Sequence, residues 1–153
     1  MQRIDRETED YNNEVRKQEK IVARNRFHQA NRRIIAEVVR KINNGQGKIL
    51  EVGCGYGDIT RECIAPNCAS MIATDIAKRF IGEEISSNIK FQLEDALDLS
   101  FPDSTFDGVI AIDIIEHMEN DARFVDESLR VLKKGGVLFF TTPNRLRLSS
   151  LLK

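Results

Sequence analysis

An open parallel α/β sheet of about five strands, with helices on both faces, is the architecture this sequence predicts. Three observations carry that expectation. The hydrophobic period changes at Lys48, short apolar runs then alternate with helical stretches, and several of those runs are apolar at nearly every position. A strand of the last kind is covered on both faces, as in a parallel sheet between two layers of helix.

Residues 1–25 are dense in charge of both signs and poor in apolar side chains, so they read as a solvated helix or arm. Phe27, Ala30, Ile34, Ile35, Val38, Val39 and Ile42 then recur at helical spacing, and Asn43-Asn44-Gly45 stops that helix. Lys48–Val52 reads as a buried strand running into a glycine-rich turn. A short helix, Ile59–Ile64, precedes Pro66, and Ser70–Thr74 is the second strand. A helix around Phe80–Ile85 and the short strand Ile89–Phe91 follow. Gly108–Ile112 is the fourth strand. Asp121 is the expected cap of a helix with Phe124, Val125, Leu129 and Leu132 on its apolar face. Gly135-Gly136 is expected to end that helix and lead into a fifth strand, Val137–Phe140.

At 153 residues the chain is of single-domain size and can bury a core without disulfide or metal staples. A hydrophobic share of 41% and a charged share of 31% fit a globular protein. The net charge of −1 gives no bulk electrostatic case for nucleic acid or an anionic membrane. No apolar run reaches the roughly 18 residues of a membrane span, and the charged opening MQRIDRETEDY does not read as a secretory signal. Cys54, Cys63 and Cys68 have neither zinc-site nor CxxC spacing, so reduced thiols in a cytoplasmic protein are expected.

The informative stretch is Glu51-Val-Gly-Cys-Gly-Tyr-Gly-Asp58, between a strand and a helix. Glycines at 53, 55 and 57 let the backbone turn sharply and lie against a ligand where a Cβ would collide. A dinucleotide fingerprint needs a fourth glycine at 58, where a pyrophosphate would meet the helix start. Position 58 is Asp, which opposes phosphate and disfavours a nicotinamide enzyme. Asp75 ends the second strand, where a carboxylate can accept both hydrogen bonds of a ribose diol. It can equally cap the helix beginning near Lys78. Asp95, after the third strand, is either an exposed loop acid or an acceptor for an adenine amino group.

In order and spacing, ILEVGCGYGDIT, IATDIA, FQLEDALDLSFPDSTFDGVIAIDIIEHM and LKKGGVLFFTTPN resemble the class I S-adenosylmethionine-dependent methyltransferases, nearest the small-molecule type. The resemblance implies a Rossmann-like sheet and S-adenosyl-L-methionine as cofactor, leaving S-adenosyl-L-homocysteine as product. It assigns Glu51, Gly53, Cys54, Gly55, Tyr56 and Gly57 to the methionine end of the cofactor. Asp75 is assigned to the ribose hydroxyls, Ile76 to packing on the adenine, and Asp95 and Ala96 to the adenine edge. Ile112 and Asp113 would face the sulfonium and its amino-acid tail. Residues 1–46 would form a helical arm or lid, 47–144 the core, and 145–153 a tail. The family usually adds two strands after the fifth, and the sequence is short of them. An exposed fifth-strand edge, and self-association through it, are therefore expected.

His117, after the fourth strand, is the candidate general base, with packing behind the strand as its bland alternative. Asp113, Glu116 and His117 also resemble the acid-x-x-Glu-His metal motif of methyltransferases acting on small-RNA 3′ ends and of some quinone-precursor O-methyltransferases. Methyl transfer to a small-molecule acceptor is the leading expectation. A cofactor-binding fragment lacking a complete acceptor site, and a metal-dependent O-methyltransferase, are the alternatives.

Overall fold

The computed structural model describes residues 26–80 and 86–142. Expectations for the N-terminal arm, most of the helix around Phe80–Ile85 and the tail lie outside these residues. The chain divides into two compact units, Met1–Ile34 and Ile35–Lys153. The described part of the first is the opening of helix α1, Arg26–Lys41, in which Ile34 is half exposed and the Phe27 side chain lies outside the described set. The second unit holds the rest of α1 and the whole sheet.

Five strands, β1 Lys48–Val52, β2 Ser70–Asp75, β3 Ile89–Leu93, β4 Phe106–Ile112 and β5 Leu132–Thr141, form one sheet in the order β3-β2-β1-β4-β5. Every pairing is parallel. β1 is central, with Leu50 opposite Ile72 on one side and Val109 on the other. Alternation along β1 divides the core. Ile49 faces a cluster with Ile35, Val39, Ile42, Met71, Phe91 and Ile110, while Leu50 and Val52 face Leu99, Phe106, Val109, Phe124 and Val131. Helix α1 thus covers one sheet face from Ile35 onward. Helix α2, Asp121–Val131, covers the other.

Two turns place the strands. Asn43, Asn44 and Gly45 adopt consecutive left-handed conformations (φ 47°, 53° and 77°), reversing the chain out of α1 toward β1. These are the residue types that tolerate that region. After Gly57 the chain makes an irregular helical segment, a π turn over Thr60–Ile64 and a 3-10 turn over Ala65–Asn67 around Pro66.

The structure corrects the expectations around α2. Asn120, not Asp121, caps the helix, its side chain accepting the Arg123 N–H. The helix stops at Val131 rather than at the glycines, and Leu132 is already a strand residue paired with Phe106. Lys133–Gly136 bulge out of register before Val137 pairs with Gly108, with Gly135 at φ 81°. Leu129 is exposed, so the buried face of α2 is Phe124, Ser128 and Val131.

Candidate active site

Parallel strands deliver their carboxyl ends to one edge of the sheet, and ligands of such folds sit there. At that edge β1 gives way to the glycine loop. The Gly53 and Cys54 amides both donate to the Thr74 carbonyl at 2.8 Å, tying the loop to the end of β2. Gly53, Gly55 and Gly57 all have positive φ (74°, 50° and 78°), as the turn requires. A Cβ at Gly53 would lie 2.1 Å from the Ile114 Cδ1, and one at Gly57 2.5 Å from an Arg61 nitrogen. A Cβ at Gly55 would meet nothing within 4 Å. Behind the loop, Arg61 donates to the Tyr56 carbonyl at 2.6 Å and lies over the Phe91 ring, while Tyr56 meets Phe80 edge-on.

Glu51 sits under this loop, 2% exposed, with Thr60 Oγ1 donating to its Oε2 at 2.5 Å. Burial pushes its carboxyl up to about 8, against the opposing pull of the Thr60 hydrogen bond and the Arg61 charge. Burial also raises the Cys54 thiol to about 12, helped by the neighbouring Glu51 and Asp75 charges. Cys54, Cys63 and Cys68 are all buried.

Asp75 accepts two backbone amides at once. Oδ2 accepts the Gly55 N–H at 3.0 Å and Oδ1 the Ala77 N–H at 2.9 Å. The second bond lies just before the 3-10 turn Lys78–Phe80, and the same carboxylate anchors the glycine loop. Each carboxylate oxygen has a second lone pair, so these bonds leave acceptor capacity for a ligand.

A cavity of about 340 Å³ opens beside Asp75. Of the residues singled out in the sequence, Gly53, Asp75, Ile76, Asp95, Ala96 and His117 line it. Val52, Thr74, Glu94, Leu97, Ile114, Met118 and Glu119 complete the lining, and sequence reasoning missed them. Ile114 and Met118 had a legible signal, since both lie within six residues of the end of β4. Glu94 is held by Gln92 Nε2, the Ser100 N–H and the Ser100 hydroxyl. Ile76 is 70% exposed, and with Leu97, Ile114 and Met118 it gives the cavity apolar lining.

The remaining expected residues stand outside the cavity. Glu51, in β1, and Cys54, Gly55, Tyr56 and Gly57, in the glycine loop, are not among its lining, and Ile112 packs toward the α1 face. Asp113 takes a left-handed conformation (φ 51°), its carboxylate accepting the Thr141 hydroxyl at 2.8 Å. Asp113, Glu116 and His117 do not gather into a group able to hold a metal ion among the described residues. The 3-10 turn Ile115–His117 explains part of this, because neighbours in such a turn point about 120° apart. Asp113 is meanwhile tethered to β5.

A parallel 3-2-1-4-5 sheet, with a glycine loop after its central strand and an acid ending the next, defines a Rossmann-like α/β protein. Residues 50–140 match the methyltransferase domain family, more than half of the chain, and the chain belongs to that family. A probable S-adenosylmethionine-dependent methyltransferase of Mycobacterium tuberculosis is 35% identical over 105 residues, covering 66% of this chain and 37% of that protein. The chloroplastic tocopherol O-methyltransferase of Arabidopsis thaliana is 33% identical over 103 residues, 62% of this chain and 30% of that one. Among solved structures, the N-methyltransferase NodS of Bradyrhizobium japonicum, in complex with S-adenosyl-L-homocysteine, superposes with a TM-score of 0.66. Its sequence identity is 24%, over 76% of this chain and 62% of that one. The chain spans well under half the length of these curated relatives.

Proposed function

We propose that this chain binds S-adenosyl-L-methionine and transfers its methyl group to a small-molecule acceptor. The observation that carries the reading is Asp75: one carboxylate fixes the glycine loop and also lines a nucleoside-sized cavity. The residues present fit the cofactor. Asp75 retains acceptor capacity for ribose hydroxyls, Asp95 and Ala96 are our candidates for the base end, and Ile76, Leu97, Ile114 and Met118 offer the base apolar contact. Gly55 presents bare backbone where a side chain would find open space.

The cofactor, when bound, supplies a methyl group already activated by its sulfonium. The chain has to align the acceptor and exclude water, a contribution that can reach about 7–11 kcal/mol in well-oriented systems. Glu51, Gly53, Cys54, Gly55, Tyr56 and Gly57 are our candidates for the methionine end, with Ile112 and Asp113 beside the reacting centre. His117, exposed on the cavity rim, is our candidate to accept the proton an oxygen or nitrogen acceptor would lose. Three buried cysteines with neither zinc-site nor CxxC spacing support a reducing, cytoplasmic setting. Among the described residues no helix is long and apolar enough to cross a membrane.

The second reading, a cofactor-binding portion whose acceptor site lies elsewhere, is favoured by the share of the relatives' length that the chain spans. Calorimetry with the cofactor and its homocysteine product, followed by an acceptor screen, separates the two. Both readings require binding, and only the first requires turnover. Asp75→Ala is expected to weaken binding by ~1.5–3 kcal/mol, the range for a hydrogen bond to a charged group. Asp75→Asn, which keeps the shape, should lose less. Unchanged affinity in both variants would remove Asp75 from the site.

A further inference from the structure

We propose that Arg123 is a positioning residue for the cavity, a strap joining the two walls between which the base would lie. The inference rests on the cofactor reading above.

One wall is the turn Asp95–Asp98. Its ends are closed by the Asp98 N–H on the Asp95 carbonyl at 3.1 Å, and the Leu97 N–H donates to Asp95 Oδ1 at 2.8 Å. The aim of the Asp95 carboxylate is therefore set by the turn. The peptide joining Leu97 to Asp98 is gripped at both edges: its N–H by Asp95, and its carbonyl by Arg123 Nε at 2.6 Å. A peptide plane held on both sides cannot rotate without losing a hydrogen bond.

The other wall is the stretch after β4, which gives Ile114, His117, Met118 and Glu119 to the cavity. Asn120 follows at once, and its Oδ1 accepts the Arg123 N–H at 3.0 Å. Phe124, fully buried, fixes this first turn of α2 in the core. Arg123 thus grows out of one wall and grips the other. Its further ion pair with Asp98, at 3.8 Å between two exposed side chains, adds little. The charge-assisted bond to the Leu97 carbonyl is the strap.

The same helix face carries an internal control. Arg130 and Glu127 hold the following stretch, through the Leu99 and Phe101 carbonyls and the Leu99 N–H, and none of these atoms belongs to a residue lining the cavity. Arg130→Met should lower the melting temperature and leave ligand preference intact.

The test is calorimetric titration with S-adenosyl-L-homocysteine and with its deaminated analogue S-inosyl-L-homocysteine, which lacks the amino group that Asp95 would accept. Arg123→Ala is expected to weaken S-adenosyl-L-homocysteine binding about three- to tenfold, the span of one net hydrogen bond. It should also narrow the preference over the inosyl analogue, and Arg123→Lys should restore part of both. The ligand-free melting temperature should move by no more than about 2 °C, as for an exposed side chain. Equal losses for the two ligands, or an Arg123→Ala protein with wild-type affinity and preference, would overturn the strap. A wild-type protein that binds both ligands equally also overturns it while leaving the cofactor reading standing. A wild-type protein that binds neither overturns that reading, and the strap with it.

Discussion

A carboxyl group with no access to water is an expensive residue to keep in the middle of a sheet, and Glu51 is one. Its cost is limited by remaining protonated, since its folded value of about 8 lies above the ordinary 4.5. Between those values the folded state holds a proton that the unfolded chain releases. The Glu51 contribution is therefore full below pH 4.5 and is lost as the pH rises toward 8. Gln in its place keeps a neutral group for the Thr60 hydroxyl at every pH. We expect Glu51→Gln to gain stability relative to wild type on going from pH 5 to pH 8, measured as the difference in urea midpoint. A difference that stays constant with pH would mean that Glu51 is charged in the folded protein. The residue was legible in the sequence as part of the glycine-loop motif. Its protonation was not, because that depends on how completely the folded core buries the carboxyl, against the opposing pull of Thr60 and Arg61.

The glycine loop shows what an element's pattern reveals and what it conceals. Three glycines after a buried strand announced a left-handed turn at a strand end, and all three adopt it. They are not equivalent, however. A side chain at Gly53 would run into Ile114, whereas one at Gly55 would meet open space. Gly53→Ala should therefore lower the thermal midpoint clearly, combining positive-φ strain with a clash. Gly55→Val should leave a folded protein, at a cost of roughly 1–2 kcal/mol for its left-handed backbone, yet fail to bind S-adenosyl-L-homocysteine. Melting curves and titrations of the pair check this; a Gly55→Val protein that still binds would reduce the loop to a turn. Spacing alone could not separate the two glycines, since Ile114 lies 61 positions away in sequence. The same limit explains α2. Its apolar spacing ran on through Leu129 and Leu132, but β4 recruits Leu132 as a strand partner for Phe106 and leaves Leu129 outside. Asn120 takes the cap from Asp121 because its side chain is the one that reaches the Arg123 amide.

For the whole molecule, the strand order puts β5 at the rim of the sheet, paired with β4 alone among the described residues. Val137 and Phe140 stand 39% and 44% exposed along it. An apolar strand with a free hydrogen-bonding side is a template for another chain. Light scattering of the 153-residue chain across a concentration series is expected to show reversible self-association; a monomer persisting at high concentration would contradict it. The opposite situation, a strand with neighbours on both sides, has its own consequence, which lies in the order of synthesis. β1 is flanked by β2, just downstream, and by β4, whose Gly108 pairs with Ile49 from 59 residues further along the chain. On the ribosome, one flank of the central strand is completed early, while the other must wait for those residues to be added, roughly 3–12 s at elongation rates of about 5–20 residues per second. Through that interval Leu50 and Val52 are without Val109 and Ala111, their partners in register. A nascent chain in that state offers a chaperone the central strand of the sheet with half of its hydrogen bonds unmade.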